Sequence, residues 1–199
     1  MDALRNLISI NIRQEEIMNG FYTMIELKDM GFQGVGEDLY ISRKTSFYNP
    51  SGICIGSHVR IDDYCVLVGN IRIGDYIHIG SHSSLHASGE GRITMEDYSG
   101  ISSNVTIYAS SDNFDGEWMT CRPDLPKECT NVVFDHIVLG GFSQVGTGST
   151  ILPKGRLGEG TAVGAMSLVN KPLEPWYVYA GIPCKAIRPR SKKMLEMVQ

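Results

Sequence analysis

The sequence predicts an all-β solenoid: a parallel β-helix with one ejected loop and short terminal helices. The first observation is a beat. Leu139, Val145, Ile151, Leu157, Val163 and Val169 put an aliphatic residue at every sixth position, with glycines and small residues between them. The beat runs upstream through Val35, Ile41, Phe47 and Ile53, then Ile55, Ile61, Leu67, Ile73, Ile79 and Leu85. After a slip around SGEG it resumes at Met95, Ile101 and Ile107. Helices and strands repeat with periods of about 3.6 and 2 residues, so neither explains it. A short stacked period does mark a solenoid, in which each hexad is a brief strand plus a corner and its aliphatic residue points to the axis. The second observation is alternation. The residue two places earlier (Val59, Ile77, Val105, Ser149, Thr161) is small or β-branched and also points inward. Third, a glycine or an acid often follows the aliphatic residue (IGS, IGD, LGE, VGA), where glycine is expected to relax the backbone at the corner.

Taken in order, residues 1–34 form an N-terminal extension and a short helix. Residues 1–20 read as a tail that packs on a partner or frays. TMIELKDMGF, from Thr23 to Phe32, has a threonine cap and a stop signal at Gly31. Residues 35–187 form the solenoid. Between Ile107 and Val133 the beat vanishes, and residues 109–131 read as a long loop carrying Phe114 and Trp118. Such a loop on a regular scaffold is more often functional than ornamental. Residues 188–199 form a tail in which SKKMLEMV can make a short helix.

Composition narrows the function. The chain has 199 residues, enough for one domain with a real core, and a formal net charge of −4, so no basic field argues for nucleic acid. No apolar run reaches the length of a membrane span, and the N-terminus lacks the pattern of a signal peptide. Cys54, Cys65, Cys121, Cys129 and Cys184 are odd in number, scattered, and without a C-x-x-C pair. They read as reduced, mostly buried thiols in a cytoplasmic protein. His78, His82 and His86 would share a face on a helix, but on a hexad lattice they point in different directions, so no metal site is expected. His58 and His82 share a corner position and read as surface residues.

NPSGICIGSHVRIDDYCVLVGNIRIGDYIHIG, SGISSNVTIYASSDNFDG and AVGAMSLVNKPLEPWYVYAGIPCKAIRPR together resemble the left-handed β-helix acyltransferases, a hexapeptide-repeat family that uses acyl-coenzyme A. The resemblance covers about residues 21–190. The last two segments are similar to a subgroup acting on galactosides or nucleotide sugars and encoded with surface-polysaccharide genes. It implies a homotrimer with each active site between neighbouring subunits, acyl-coenzyme A (acetyl-coenzyme A first) as co-substrate, and a sugar or nucleotide sugar as acceptor. Gly146 and Thr147 in VGTGS, and Ala165 and Ser167 in VGAMS, match positions that hold the pantetheine arm. The Thr147 N–H falls where the family places an oxyanion donor. Lys171, Lys185 and Arg188 match basic positions that meet coenzyme phosphates, although a solvated basic tail has the same composition.

Many relatives carry a histidine a few residues after IY, aimed at the acceptor. This chain reads IYASSDNFDG, which puts Asp112 there. An alcohol acceptor needs a base to take its proton, whereas a neutral amine brings its own lone pair. The departure therefore favours an amino sugar. His86, one position after inward Leu85, is the other candidate catalytic group, with Ser88 and Glu90 close by in sequence. Tyr108, Ser110, Asn113, Phe114 and Trp118 complete the candidate acceptor residues. Trp176 reads as core packing ahead of ligand contact. Two alternatives stand beside sugar N-acyl transfer: O-acetylation of a saccharide hydroxyl with His86 as base, and a non-catalytic β-helix scaffold.

Overall fold

The computed structural model describes residues 20–120 and 124–197. The tail expected over residues 1–20 therefore lies, but for Gly20, outside the described residues. From Gly34 the chain winds as an all-β, left-handed parallel β-helix of about 7 turns. Its strands stack coil upon coil into three faces. The first holds seven strands from Gly34–Val35 to Pro172–Leu173, and the second runs from Tyr40–Ile41 to Tyr177–Ala180. The third holds six strands from Ser46–Tyr48 to Leu168–Val169. Pairing is parallel and in register, so inward residues lie directly over one another, as in Ile55 on Ile73 and Ile101 on Val145.

The beat residues are the core. Ile41, Ile61, Ile79, Leu85, Ile107, Leu139, Ile151 and Val169 are completely buried. Each contributes roughly 1.5–3 kcal/mol of hydrophobic stabilisation. The residues two places earlier are inside as well, Val59, Val105, Ser149 and Thr161 all at 0% exposure. Burial pushes the Cys65 thiol up to about 11, as fits a small apolar core residue.

The corners correct one expectation. The glycines after the aliphatic residues are not there for left-handed backbone. That conformation belongs instead to His58, Tyr76, Tyr98, Phe142 and Trp176, all near φ +57 to +60. Their rings stack coil to coil, Tyr76 on Tyr98 at 4.9 Å and Tyr98 on Phe142 at 4.9 Å. The stacking covers the corner and offsets the steric cost of a left-handed residue. Gly56 and its equivalents are needed because successive coils touch there: a Cβ on Gly56 would lie 2.5 Å from the Gly74 carbonyl oxygen. Trp176, 8% exposed, closes the ladder as a packing residue.

The short helix forms at Met24–Asp29, and Thr23 and Glu26 make a reciprocal capping box. Arg43 holds the same carboxylate at 2.7 Å, and these bonds hold Glu26 down to about 2. At the other end Lys185–Pro189 turns back antiparallel on Tyr177–Ala180, and Lys193–Met197 is a 3-10 turn rather than an α-helix.

Every departure from the beat falls at one edge, where the third face turns into the first. The longer intervals from Phe47 to Ile55, Leu85 to Met95 and Ile107 to Leu139 all bridge that corner. The expected loop is partly a β-ribbon: Ser110–Asp112 pairs antiparallel with Val132–Phe134, so the segment leaves the solenoid as a two-stranded arm.

Candidate active site

The arm roots beside a column of outward residues on the third face. Alternation buries Leu85 and Ile107, so His86 and Tyr108 must face out, and parallel register sets one over the other. Their rings stack at 4.8 Å and 12°. Leu152 follows inward Ile151 in the same way and continues the column. With Ser88, Ser110, Ser111, Asp112, Phe114 and Val132 they line a groove of about 600 Å³.

The structure thus brings together six residues singled out from the sequence: His86, Ser88, Tyr108, Ser110, Asp112 and Phe114. His86 is half-buried, and loss of solvent lowers its pKa below the ordinary histidine value, so the ring is neutral at neutral pH. A neutral imidazole facing a carboxylate-bearing wall can accept a hydrogen bond from an amine or take a proton from one.

The remaining candidates lie elsewhere. Glu90 lines a separate groove on the first face. Asn113 bonds Asp115 at 2.7 Å and stabilises the turn of the arm, and Trp118 sits further along, 38% exposed. Thr147 occupies the corner before Thr150–Ile151, with its hydroxyl donating to the Ser103 carbonyl at 2.6 Å. Its own N–H meets no acceptor among the described residues. Gly146 packs against Ala165, and buried Ser167 accepts the Gly181 N–H at 3.0 Å, fixing the last turn. Lys171, Lys185 and Arg188 are exposed on the final coils, and Lys171 is near enough to Cys184 to oppose the rise that burial gives its thiol pKa. Within one chain this later set does not share the His86 groove.

Three lining residues were not singled out from sequence. Leu152 carried a legible signal, since it follows an inward residue just as His86 and Tyr108 do. Val132 and Ser111 depend on the pairing of the arm, which no periodicity announces.

No group of three metal-ligating side chains occurs among the described residues. His78 bonds Asp62 at 2.8 Å, His82 stacks on Tyr64, and His86 stacks on Tyr108, so the three histidines are separately engaged. No described helix is long and apolar enough to cross a membrane.

No family model matches the chain. It is 46% identical over 176 residues to the dTDP-4-amino-4,6-dideoxy-D-glucose acyltransferase of Escherichia coli, covering 87% of this chain and 90% of that protein. Its structure matches AntD, an N-acyltransferase from Bacillus cereus in complex with dTDP and 3-hydroxybutyryl-CoA, with a TM-score of 0.86 and 42% identity over 90% of this chain and 94% of that one. A variant of AntD in complex with dTDP-4-amino-4,6-dideoxyglucose and coenzyme A matches with a TM-score of 0.87 and 42% identity, covering 91% and 96%. The chain belongs to the hexapeptide-repeat, left-handed β-helix acyltransferases, in their acyl-CoA-dependent sugar N-acyltransferase branch.

Proposed function

We propose that this chain moves an acyl group from acyl-coenzyme A, acetyl-coenzyme A in the first instance, to the amine of a dTDP-linked 4-amino-4,6-dideoxy sugar. The observation that carries the reading is the 46% identity to a relative of that activity across nearly the full length of both chains. The groove chemistry agrees with it. A neutral amine lone pair attacks the thioester carbon and forms the C–N bond. The tetrahedral oxyanion collapses, the C–S bond breaks, and the surplus proton passes to the departing thiolate. His86 and Asp112 orient the amine, the Thr147 N–H stabilises the oxyanion, and Ser88, Tyr108, Ser110, Asn113, Phe114 and Trp118 contact the acceptor. Glu90 contacts it from the far side of the 87–91 turn. Gly146, Ala165 and Ser167 hold the pantetheine arm, and Lys171, Lys185 and Arg188 meet the coenzyme phosphates.

The working form in this reading is a cytoplasmic homotrimer supplying a surface glycan such as an O-antigen. Exposed Phe114, Trp118, Met119, Val132, Val133 and Phe134 give the arm the apolar surface of an interface. An arm reaching a neighbour also brings the later coils of one subunit to the His86 groove of another.

Free-thiol release from acetyl-coenzyme A tests the activity. Release with a dTDP-4-amino-4,6-dideoxy sugar, and none with the matching hydroxyl sugar, is expected. Release only with hydroxyl acceptors would move the assignment to O-acetylation, and no coenzyme binding at all would leave the scaffold alternative.

A further inference from the structure

A second groove, of about 890 Å³, lies on the outer side of the first face. The turn after Ser84–Ala87 separates it from the first: Ser88 lines the His86 groove, whereas Gly89 and Glu90 line this one. Arg72 and Arg92 point into it. Arg72 pairs with Thr94 across neighbouring parallel strands, so Arg92 sits one strand over and two residues back. That offset separates the two Cα atoms by roughly 8 Å.

These arginines differ from their counterparts. Arg43, Arg60 and Arg156 hold Glu26, Asp62 and Asp135, and Arg190 is spent on the Phe142 and Gly160 carbonyls. The side chains of Arg72 and Arg92 make no hydrogen bond or ion pair with any described residue. Asp135, a carboxylate in the same groove, is engaged by Arg156 and by the His136 and Lys154 N–H groups. Two like charges on diagonal sheet positions repel, and an anion with several oxygens relieves that repulsion. The Phe134 ring lies against Gly89 and offers an apolar face at the rim.

We propose that this groove holds the diphosphate of the nucleotide-linked acceptor, with Arg72 and Arg92 on phosphate oxygens and the base against Phe134. The sugar then reaches over the 87–91 turn to His86. The inference rests on the amino-sugar reading above. The diphosphate of coenzyme A offers the same chemistry, but the cations matched to the coenzyme, Lys171, Lys185 and Arg188, lie on the last coils. Arg72 and Arg92 sit on the third and fourth of the seven strands of the first face, mid-stack, so the acceptor's phosphates and the coenzyme-matched cations occupy different levels of the solenoid.

Calorimetry with dTDP alone and with coenzyme A alone, on the intact protein, decides the matter. The variants are Arg72→Ala and Arg92→Ala, with Arg72→Gln and Arg92→Gln in reserve against misfolding and Arg60→Ala as a control. Loss of a charged hydrogen bond predicts dTDP affinity lower by roughly 10- to 100-fold for each, with coenzyme A affinity and melting temperature unchanged. In turnover, KM for the nucleotide sugar should rise while kcat changes little. If coenzyme A binding weakens instead, the groove belongs to the donor and the proposal is overturned. Unchanged binding of both ligands overturns it too, leaving the amino-sugar reading intact when wild-type protein still acylates the dTDP-linked amine. Wild-type protein that binds no dTDP and acylates only free amino sugars would sink both.

Discussion

At the scale of the residue, His86 shows how burial sets a role. A half-buried imidazole that titrates below its ordinary value of ~6.5 stays neutral through the physiological range. Charging it in acid would repel an acceptor ammonium. We therefore expect kcat/KM to fall as pH drops through the depressed value, with a limb absent from His86→Asn. With an amine acceptor, His86→Asn and Asp112→Asn should each lower kcat by less than about 10²-fold, since removal of a true general base costs ~10²–10⁴-fold. Steady-state kinetics across pH on both variants check this. A near-complete loss in His86→Asn alone, with normal substrate binding, would make it the base. A second residue-scale expectation concerns the core. The Ser99 and Ser143 hydroxyls are buried without a hydrogen-bond partner, so Ser143→Ala should be neutral or stabilising by up to about 1 kcal/mol in a urea melt. Clear destabilisation would show that the hydroxyl has a stabilising partner. Position was legible in the sequence here, because a hexad lattice makes His86 face out once Leu85 faces in. The reason for the glycines was not. Periodicity reports which residues recur, and only the distance from Gly56 to the next coil distinguishes crowding from backbone freedom.

At the scale of the element, the arm is the part that sequence only half revealed. Loss of the beat marks where the chain leaves the solenoid, but antiparallel pairing of Ser110–Asp112 with Val132–Phe134 depends on contacts between segments some twenty residues apart. That pairing brings Val132 to the groove. Asp135 fastens the returning strand to the next coil through the Arg156 guanidinium at 2.7 Å and the N–H groups of His136 and Lys154. Burial alone would raise its carboxyl pKa, and these partners outweigh burial and hold it below the usual carboxylate range. A depressed folded value means the clamp stabilises the fold above the unfolded value of ~3.9 and is lost as pH falls through the lower folded value. Asp135→Asn should cost roughly 1–3 kcal/mol, because the Arg156 charge loses its partner and the N–H groups keep only a weaker one. The stability difference from wild type should shrink in acid, where wild-type Asp135 is itself protonated. Urea melts at neutral and acid pH measure it, and an equal deficit at both pH values would argue against the clamp. Gly56→Ala tests the coil-to-coil contact by the same method, with an expected loss of about 1–3 kcal/mol from overpacking.

At the scale of the whole molecule, the solenoid is a straight, rigid edge, and all of its irregularity is gathered where the third face meets the first. A regular stack cannot enclose a substrate by itself, because its sides are open. Of the coenzyme-matched residues, Thr147 stands on another corner of the same chain, Lys171 lies several coils further along the stack from His86, and Lys185 is on the terminal strand added to the second face. In the proposed trimer a second copy supplies that enclosure. The arm carries the surface for that contact: Phe114 is 78% and Met119 52% exposed, against a core whose beat residues are near 0%. Met119 lies beyond the stem, clear of the residues that line the His86 groove and of the proposed acceptor contacts, so it reports on assembly more directly than on chemistry. Sedimentation should give a trimer for the wild-type chain. Met119→Glu should place charge in that contact and yield monomers with an unchanged circular dichroism spectrum. Those monomers should lose most of their transferase activity, because the donor and acceptor sides of the site would no longer meet. Mixed loss of assembly and fold would be seen as a changed spectrum, and a single-chain repeat at Met119→Gln then separates the two. A wild-type monomer with full activity, or charged-arm variants that remain trimeric and active, would show that one chain completes its own site.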